Sequence, residues 1–241
     1  MTEQYHMASH EGTYTKSFEA DVKATFPNII ELNRTAFYPM GGGQPSDTGS
    51  LEWDGGGVNV LDVKKKNRIR HMIEGELPDI GTKVTGILDW NRRYSHMKMH
   101  TSQHLVSAVV NELHRSDTVG NQIGEDKSRI DFKPLKLDQA KINEIESKVN
   151  DYISEDLEIT ISEELRSNLE NNSDIRSSMS SGLWKMLPKS VTKLRVITIG
   201  DIDVCPCAGT HVKSLSEIGK VKFVKKDNKG AGKQRLTYIL E

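Results

Sequence analysis

Four side chains in this sequence could together hold a metal ion. His100-Thr101-Ser102-Gln103-His104 sets two imidazoles four residues apart, and on a helix that spacing stacks them on one face. Cys207-Ala208-Gly209-Thr210-His211 sets a thiol and an imidazole at the same spacing near the other end of the chain. Three imidazoles and a thiolate form the tetrahedral nitrogen–sulfur set that zinc prefers. Neither half is specific alone: an H-x3-H recurs by chance, and the plain structural reading is a hydrogen-bonded His pair and a small buried thiol. Scarcity strengthens the pairing, because the chain has only two cysteines, Cys205 and Cys207. His96 lies one turn before His100, so spacing alone does not select the histidine pair.

The familiar zinc chemistries fit poorly. A zincin protease needs Glu directly after the first His, and here Thr101 follows His100. A base deaminase needs H-x-E and P-C-x-x-C; Pro206-Cys207 is present, but no second Cys follows at that spacing. A zinc finger keeps its ligand pairs close in sequence, whereas here a helix would be tied to a distant loop.

The elements that must position these residues read as two domains. Residues 1–90 suggest an all-β domain: strands at 13–22 and 28–32 around a Pro27 turn, then short strands at 51–53, 58–63, 68–73 and 83–89, with Gly55-Gly56-Gly57 as a hairpin turn. Short strands with regular turns predict a small barrel. Between them Gly41-Gly42-Gly43-Gln44, bracketed by Pro39 and Pro45, can be neither helix nor regular strand and would let backbone N–H groups approach a ligand. It is not a P-loop, because no Gly-Lys-Ser/Thr follows. His6 and His10 also form an H-x3-H, in a polar segment expected to be exposed.

Residues 91–241 predict an α+β domain with an antiparallel sheet. A buried helix runs from about 91 to 115. Strands at 118–132 flank a turn, and an amphipathic helix covers 137–154. A strand at 157–161, a short helix at 162–171 and an irregular stretch at 177–188 follow. Then come a strand at 194–199, the turn at 200–204, the ligand loop and a closing hairpin, 220–225 with 234–240.

The chain has 241 residues, 28% of them charged, and a formal net charge of −1. No apolar run reaches the roughly 18 residues of a membrane span. The polar N-terminus shows no signal peptide, and two close cysteines suit a reducing, cytoplasmic setting. Charge is unevenly spread. Lys220, Lys222, Lys225, Lys226, Lys229, Lys233 and Arg235 face only Asp227 in the closing hairpin, and Lys64-Lys65-Lys66-Asn67-Arg68 is a second basic cluster. Such clusters are solvated surface or phosphate-binding faces, and the closing hairpin is the expected contact for any nucleic-acid partner.

Taken together, the histidine pair, the Cys-Ala-Gly-Thr-His loop, the glycine motif at 41–49, Asp89-Trp90 with Arg92-Arg93-Tyr94, Gln122-Ile123-Gly124, and Ile199-Gly200-Asp201 resemble the editing domain of alanyl-tRNA synthetase. They also resemble its free-standing relatives, the AlaX-type trans-editing proteins of medium length, over nearly the whole chain. The resemblance implies a cytoplasmic, zinc-dependent aminoacyl-tRNA deacylase, a carboxylic ester hydrolase of translation fidelity. It would act on tRNA(Ala) mischarged with serine and also glycine. The zinc ligands it implies are His100, His104, Cys207 and His211. His96 is expected outside the sphere, because it sits beside Arg92 and Arg93 while the other pair borders Ser107 and Asn111. The pocket glutamine carries over to Gln122. Gln122 and Thr101 are the expected catalytic residues, Thr118, Asn121 and Thr210 would add polar atoms around the substrate, and Gly41, Gly42, Gly43 and Gln44 would help shape the pocket. The chain departs from the family pattern at Met40, where an acidic residue is common, and at Ala208, where glycine is usual.

Two mechanisms are open from the sequence. Zinc with an open position activates water; a zinc held by four protein ligands instead positions the terminal ribose while Gln122 or the substrate orients the water. Threonyl-tRNA synthetase editing domains share both ligand pairs, so editing of another aminoacyl-tRNA is an alternative, as is a zinc-stabilised tRNA-binding module without hydrolysis.

Overall fold

Residues 17–26 alternate exposed and buried along much of their length, with Phe18, Ala20 and Val22 turned inward; this period of two makes them a strand with one face in a core. The computed structural model describes residues 2–171 and 188–241 and divides into two units, Met1–His96 and Met97–Glu241.

In the first unit six strands close a barrel: β2 (Ser17–Phe26), β3 (Ile29–Leu32), β5 (Gly49–Trp53), β6 (Gly56–Lys65), β7 (Ile69–Glu74) and β8 (Lys83–Leu88), in the order β2-β3-β7-β6-β5-β8. Closure removes free strand edges. Val22, Ile30, Leu51, Val60, Val63 and Phe37 fill the interior. The β5–β6 turn is Asp54-Gly55, and Gly56 and Gly57 already pair in the strand. Two short elements, β1 (Glu3–Gln4) and β4 (Arg34–Thr35), pair in parallel.

Two expectations for this unit are corrected. The segment before the barrel is not exposed coil: it forms α1 (Tyr5–Ala8) and α2 (His10–Thr13). His6 is buried edge-on to Tyr38, with ring centroids 5.2 Å apart. Tyr5 meets Phe18 in the same way at 5.9 Å. Packing holds these helices, each too short to persist alone. The first barrel strand therefore starts at Ser17 and runs on to Phe26.

The second unit is built on α3 (Trp90–His114), whose first turns belong to the barrel unit. From Met99 to Val110 only Ser107 is not buried, so the helix is covered on all sides rather than along one stripe. Of its two sheets, one runs β14 (Val221–Asn228), β15 (Gln234–Leu240), β10 (Ser128–Lys133), β9 (Asp117–Gln122). The other runs β11 (Ile159–Leu165), β12 (Lys193–Ile199), β13 (Asp203–Pro206), and every pairing in both is antiparallel. The Tyr238 hydroxyl on β15 donates to the Met99 carbonyl at 2.9 Å, tying sheet to helix. Helix α4 (Gln139–Ser154), capped by the Asp138 side chain, buries Ile142, Ile145, Val149 and Ile153. The short helix expected at 162–171 is shorter: β11 continues to Leu165 because it pairs with β12, and α5 covers Arg166–Asn171. The irregular stretch expected at 177–188 lies, except for Pro188, outside the described residues. Among the described residues, no helix is long and apolar enough to cross a membrane.

Candidate metal centre

His100 and His104 project from the buried middle of α3. Cys207 and His211 come from the loop after β13. That loop is held from below: the Arg195 guanidinium on β12 donates from Nη1 to the Cys207 carbonyl at 2.6 Å and the Gly209 carbonyl at 3.0 Å. The Val212 N–H donates to Thr101 Oγ1 at 3.2 Å, pinning the far end of the loop to the helix.

The four residues meet. Their ligand atoms all lie within 4.8 Å of one another, and the three histidines are buried. The Cys207 sulfur is 3.6 Å from His100 Nε2 and 3.4 Å from His211 Nε2. A tetrahedral zinc with its usual bond lengths would separate such nitrogen and sulfur ligands by about 3.6 Å, so the donors already stand close to the edges of that tetrahedron. His96, although buried, has no ligand atom in this group.

The atoms behind the rings fix which nitrogen faces inward. His104 Nδ1 lies 3.2 Å from Asp203 Oδ2, both side chains buried. His211 Nδ1 lies 3.1 Å from Thr101 Oγ1. With Nδ1 engaged, Nε2 is the nitrogen turned toward the centre, the arrangement by which carboxylates and hydroxyls orient metal-bound histidines. Asp203 was not singled out from sequence; its only signal is a lone acid between Ile202 and Val204 at a strand start. Cys205 forms a second, overlapping group with His104 and Asp203.

Electrostatics follow from the crowding. Burial alone would push the Cys207 thiol up, but His100 and His211 outweigh it and hold it well below its ordinary value. Burial, with repulsion from His100, pushes His211 well down. Burial opposes a charge on His104 too, yet the Cys205 sulfur and Asp203 carboxylate beside it raise its pKa well above that of a free imidazole. A site that favours thiolate and has a neutral imidazole is chemically suited to a soft or borderline cation.

Beside the centre runs a polar chain. The Asn121 amide donates to Gln103 Oε1 at 3.0 Å, Gln103 Nε2 donates to Ser107 Oγ at 2.8 Å, and Thr118 Oγ1 donates to Ser107 Oγ at 2.7 Å. Thr118 and Asn121 are three apart on β9 and still reach the same helix, because the pairing with β10 slips between Asp131 and Phe132 and leaves Val119 as the extra residue. Gln122, next to Asn121, is exposed. Thr101 and Thr210 are fully buried.

In the barrel unit, Gly41 and Gln44 exchange backbone hydrogen bonds of 3.1 and 2.9 Å, and Gly42 and Gly43 have φ of 58° and 85°. This is a tight turn whose two central residues need the left-handed region, which accounts for the glycines locally. Its base is fixed by a buried ion pair: Arg93 on α3 holds Asp47, which accepts from the Tyr38 N–H at 2.6 Å, and Arg93 also donates to the Thr13 and Ala36 carbonyls.

Comparison with known proteins places the chain in a family. Residues 194–237 match the threonyl and alanyl tRNA synthetase second additional domain, and residues 4–92 match the class II (A) tRNA synthetases. The chain is thus of the class assembled from modules of aminoacyl-tRNA synthetases. An alanyl-tRNA editing protein AlaX-M of Methanosarcina barkeri is 39% identical over 235 residues, spanning 94% of this chain and 95% of its own. The AlaX-M protein of Pyrococcus horikoshii is 34% identical over 96% of both chains. An alanine–tRNA ligase of Thermoplasma acidophilum is 34% identical over 90% of this chain but only 24% of the ligase. The chain belongs to the alanyl-tRNA editing protein family.

Proposed function

We propose that this protein is a zinc-dependent trans-editing hydrolase. In this reading it cleaves the ester of tRNA(Ala) mischarged chiefly with serine and also with glycine. Residues 91–241 would serve as the editing domain and residues 1–90 as an accessory barrel. The observation that carries the reading is the set of four preplaced donors in a chain whose relatives are named alanyl-tRNA editing proteins.

His100, His104, Cys207 and His211 would hold the zinc. When bound, it would supply Lewis-acid polarisation of a substrate oxygen or anchor the terminal ribose. Four protein donors favour the anchoring role, in which proximity to an activated ester supplies much of the rate. Thr101, expected from the sequence to be catalytic, would act here by orienting His211, and Asp203 would orient His104. Gln122, at the exposed end of β9, is the candidate for orienting water. Buried Thr210 would add a further substrate contact, and the turn Gly41-Gly42-Gly43-Gln44 would be a substrate-binding element of the barrel unit.

Ser107 supports the choice of serine. It lies on the same helical face as His100 and His104, and its oxygen accepts from both Gln103 and Thr118. Its own hydroxyl hydrogen is then the one to donate outward. A site that hydrogen-bonds a substrate hydroxyl can reject the analogue lacking it by about 10⁴, against roughly 10² for an apolar fit. Glycine, with no methyl to meet this polar wall, leaves room for water where alanine does not.

Deacylation of Ser-, Gly- and Ala-tRNA(Ala) by wild type, Thr118→Val, Asn121→Leu and Gln122→Leu tests the reading. Rapid loss of serine with alanine spared is expected, and discrimination should shrink in the first two variants. Equal rates on serine and alanine in wild type would overturn the polar-wall account. Tight tRNA binding with no deacylation would leave a binding module in place of an enzyme.

A further inference from the structure

The barrel has two electrostatic sides, and the strand order separates them. In the sequence β2-β3-β7-β6-β5-β8, strands β5, β8 and β2 are contiguous, and so are β3, β7 and β6. An open groove over the first set is lined by Glu19, Asp21, Glu52 and Asp54 against Arg34 and Lys83. The tip and flank of the β6–β7 hairpin, on the second set, carry Lys64, Lys65, Lys66, Arg68 and Arg70 against Asp62 and Glu31. A chain of net charge −1 thus hides a basic edge and an acidic face on one small barrel.

We propose that the β6–β7 hairpin tip is a docking surface for the phosphate backbone of a structured RNA, with the opposite groove turned away from it. This rests on the tRNA-editing reading for the identity of the RNA. Lys64 is 3.1 Å from Asp62, and Arg68 and Arg70 share buried Glu31 at 3.6 and 3.1 Å. Those contacts stiffen the base of the tip. Lys65 and Lys66 at its apex are exposed and have no ion pair among the described residues. The Lys66 N–H donates to the Arg68 carbonyl at 3.1 Å, closing the tip and presenting both lysines from an ordered turn. On the flank of the hairpin, away from the apex and level with Met72, Phe26 is 43% exposed, with the Arg70 guanidinium 5.5 Å over its ring. Cations interleaved with an exposed aromatic suit a nucleic-acid strand, where phosphates meet the charges and a base or sugar meets the ring.

The other basic element is a weaker candidate. On the β14–β15 hairpin, Lys222 pairs with Glu241 at 2.9 Å, Lys225 with Asp227 at 3.0 Å and Arg235 with Asp131 at 2.6 Å, while Lys226 donates to the Leu137 carbonyl at 3.1 Å. β14 is also a sheet edge, where lysines guard against pairing with another chain.

Equilibrium binding of a tRNA(Ala) transcript over a salt series tests the proposal, using the full chain with the double substitution Lys65→Glu and Lys66→Glu. The control is Lys23→Glu with Lys83→Glu, the same change of net charge on the β2–β8 side. The tip variant should bind about tenfold or more weakly, with the slope of log K on log salt flattened by about 1.5, as for two lost phosphate contacts. The control should stay within about threefold of wild type. Unchanged binding by the tip variant, or an equal loss in the control, overturns the proposal. So does loss of binding to phosphatidylserine vesicles with tRNA binding intact, which would make the partner a membrane surface. Deacylation of Ser-tRNA(Ala) by wild type is measured alongside. If wild type is inactive while the tip variant loses tRNA, the editing reading fails and the RNA surface stands. If wild type is active and the tip variant binds normally, only the surface fails.

Discussion

In the Met1–His96 unit, the buried His71 and Arg93 are each answered by other protein groups. His71 donates from Nδ1 to the Ile30 carbonyl at 3.1 Å and receives the Thr35 hydroxyl on Nε2 at 2.9 Å, and Arg93 is matched by Asp47 and two carbonyls. In the Met97–Glu241 unit, the buried imidazoles of His100, His104 and His211 instead lie with ring centroids 4.5–5.3 Å apart around a thiol, their ligand atoms turned toward one another. Both arrangements occupy well-packed interiors, so burial alone does not separate a structural histidine from a ligand. The separating feature is convergence: three imidazoles and a thiol, each able to bind a cation, meet at one point, whereas His71 meets a carbonyl and a hydroxyl. Donors crowded in this way are stable together when a cation joins them.

Breaking the barrel's internal pairing should have the largest effect on stability. Arg93→Ala strands the Asp47 carboxylate and should cost about 3–5 kcal/mol in urea unfolding; a cost below about 1 kcal/mol would show that the loop base is held by something else.

His71 gives the next effect, through pH. Burial pushes its pKa down to about 4, against a contribution from the Ile30 carbonyl that raises it, while the unfolded chain has the ordinary value of 6.5. Between these values the unfolded state binds the extra proton, so stability rises with pH and is lost as pH falls from 6.5 toward 4, by about 3 kcal/mol in all. His71→Gln should flatten that slope even if it lowers stability throughout. A slope unchanged in the variant would assign the acid sensitivity to other groups.

Asp203 sharpens the comparison from the metal side. Asp203→Asn keeps an acceptor for His104 Nδ1–H but removes the charge, and should weaken zinc binding about 10- to 100-fold in chelator competition. Asp203→Ala should weaken it further. Equal affinity in all three proteins would mean that the carboxylate does not orient the ring.

Much of this was legible in the chain. The barrel followed from short strands separated by regular turns, and the central helix from its run of apolar positions around two histidines. The ligand loop was visible as a thiol and an imidazole four apart, next to a turn-forming glycine. What sequence could not carry depends on partners. α1 and α2 are four residues each and exist because Tyr5 and His6 pack on Phe18 and Tyr38. β11 outruns its expected end because β12 lies beside it as far as Leu165. The one-residue slip at Val119 changes which side chains of β9 reach the helix, so Asn121 turns to Gln103 while Gln122 is exposed. Asp203 gave little sign of itself, because a single acid in a short strand is common.

The central claim is that His100, His104, Cys207 and His211 form one preplaced metal centre from which His96 is excluded. An equilibrium zinc titration of wild type, His96→Ala and His100→Ala tests it most directly. The account predicts one tightly bound zinc per chain in wild type and in His96→Ala, and its loss in His100→Ala. Full zinc retention in His100→Ala with loss in His96→Ala would contradict it.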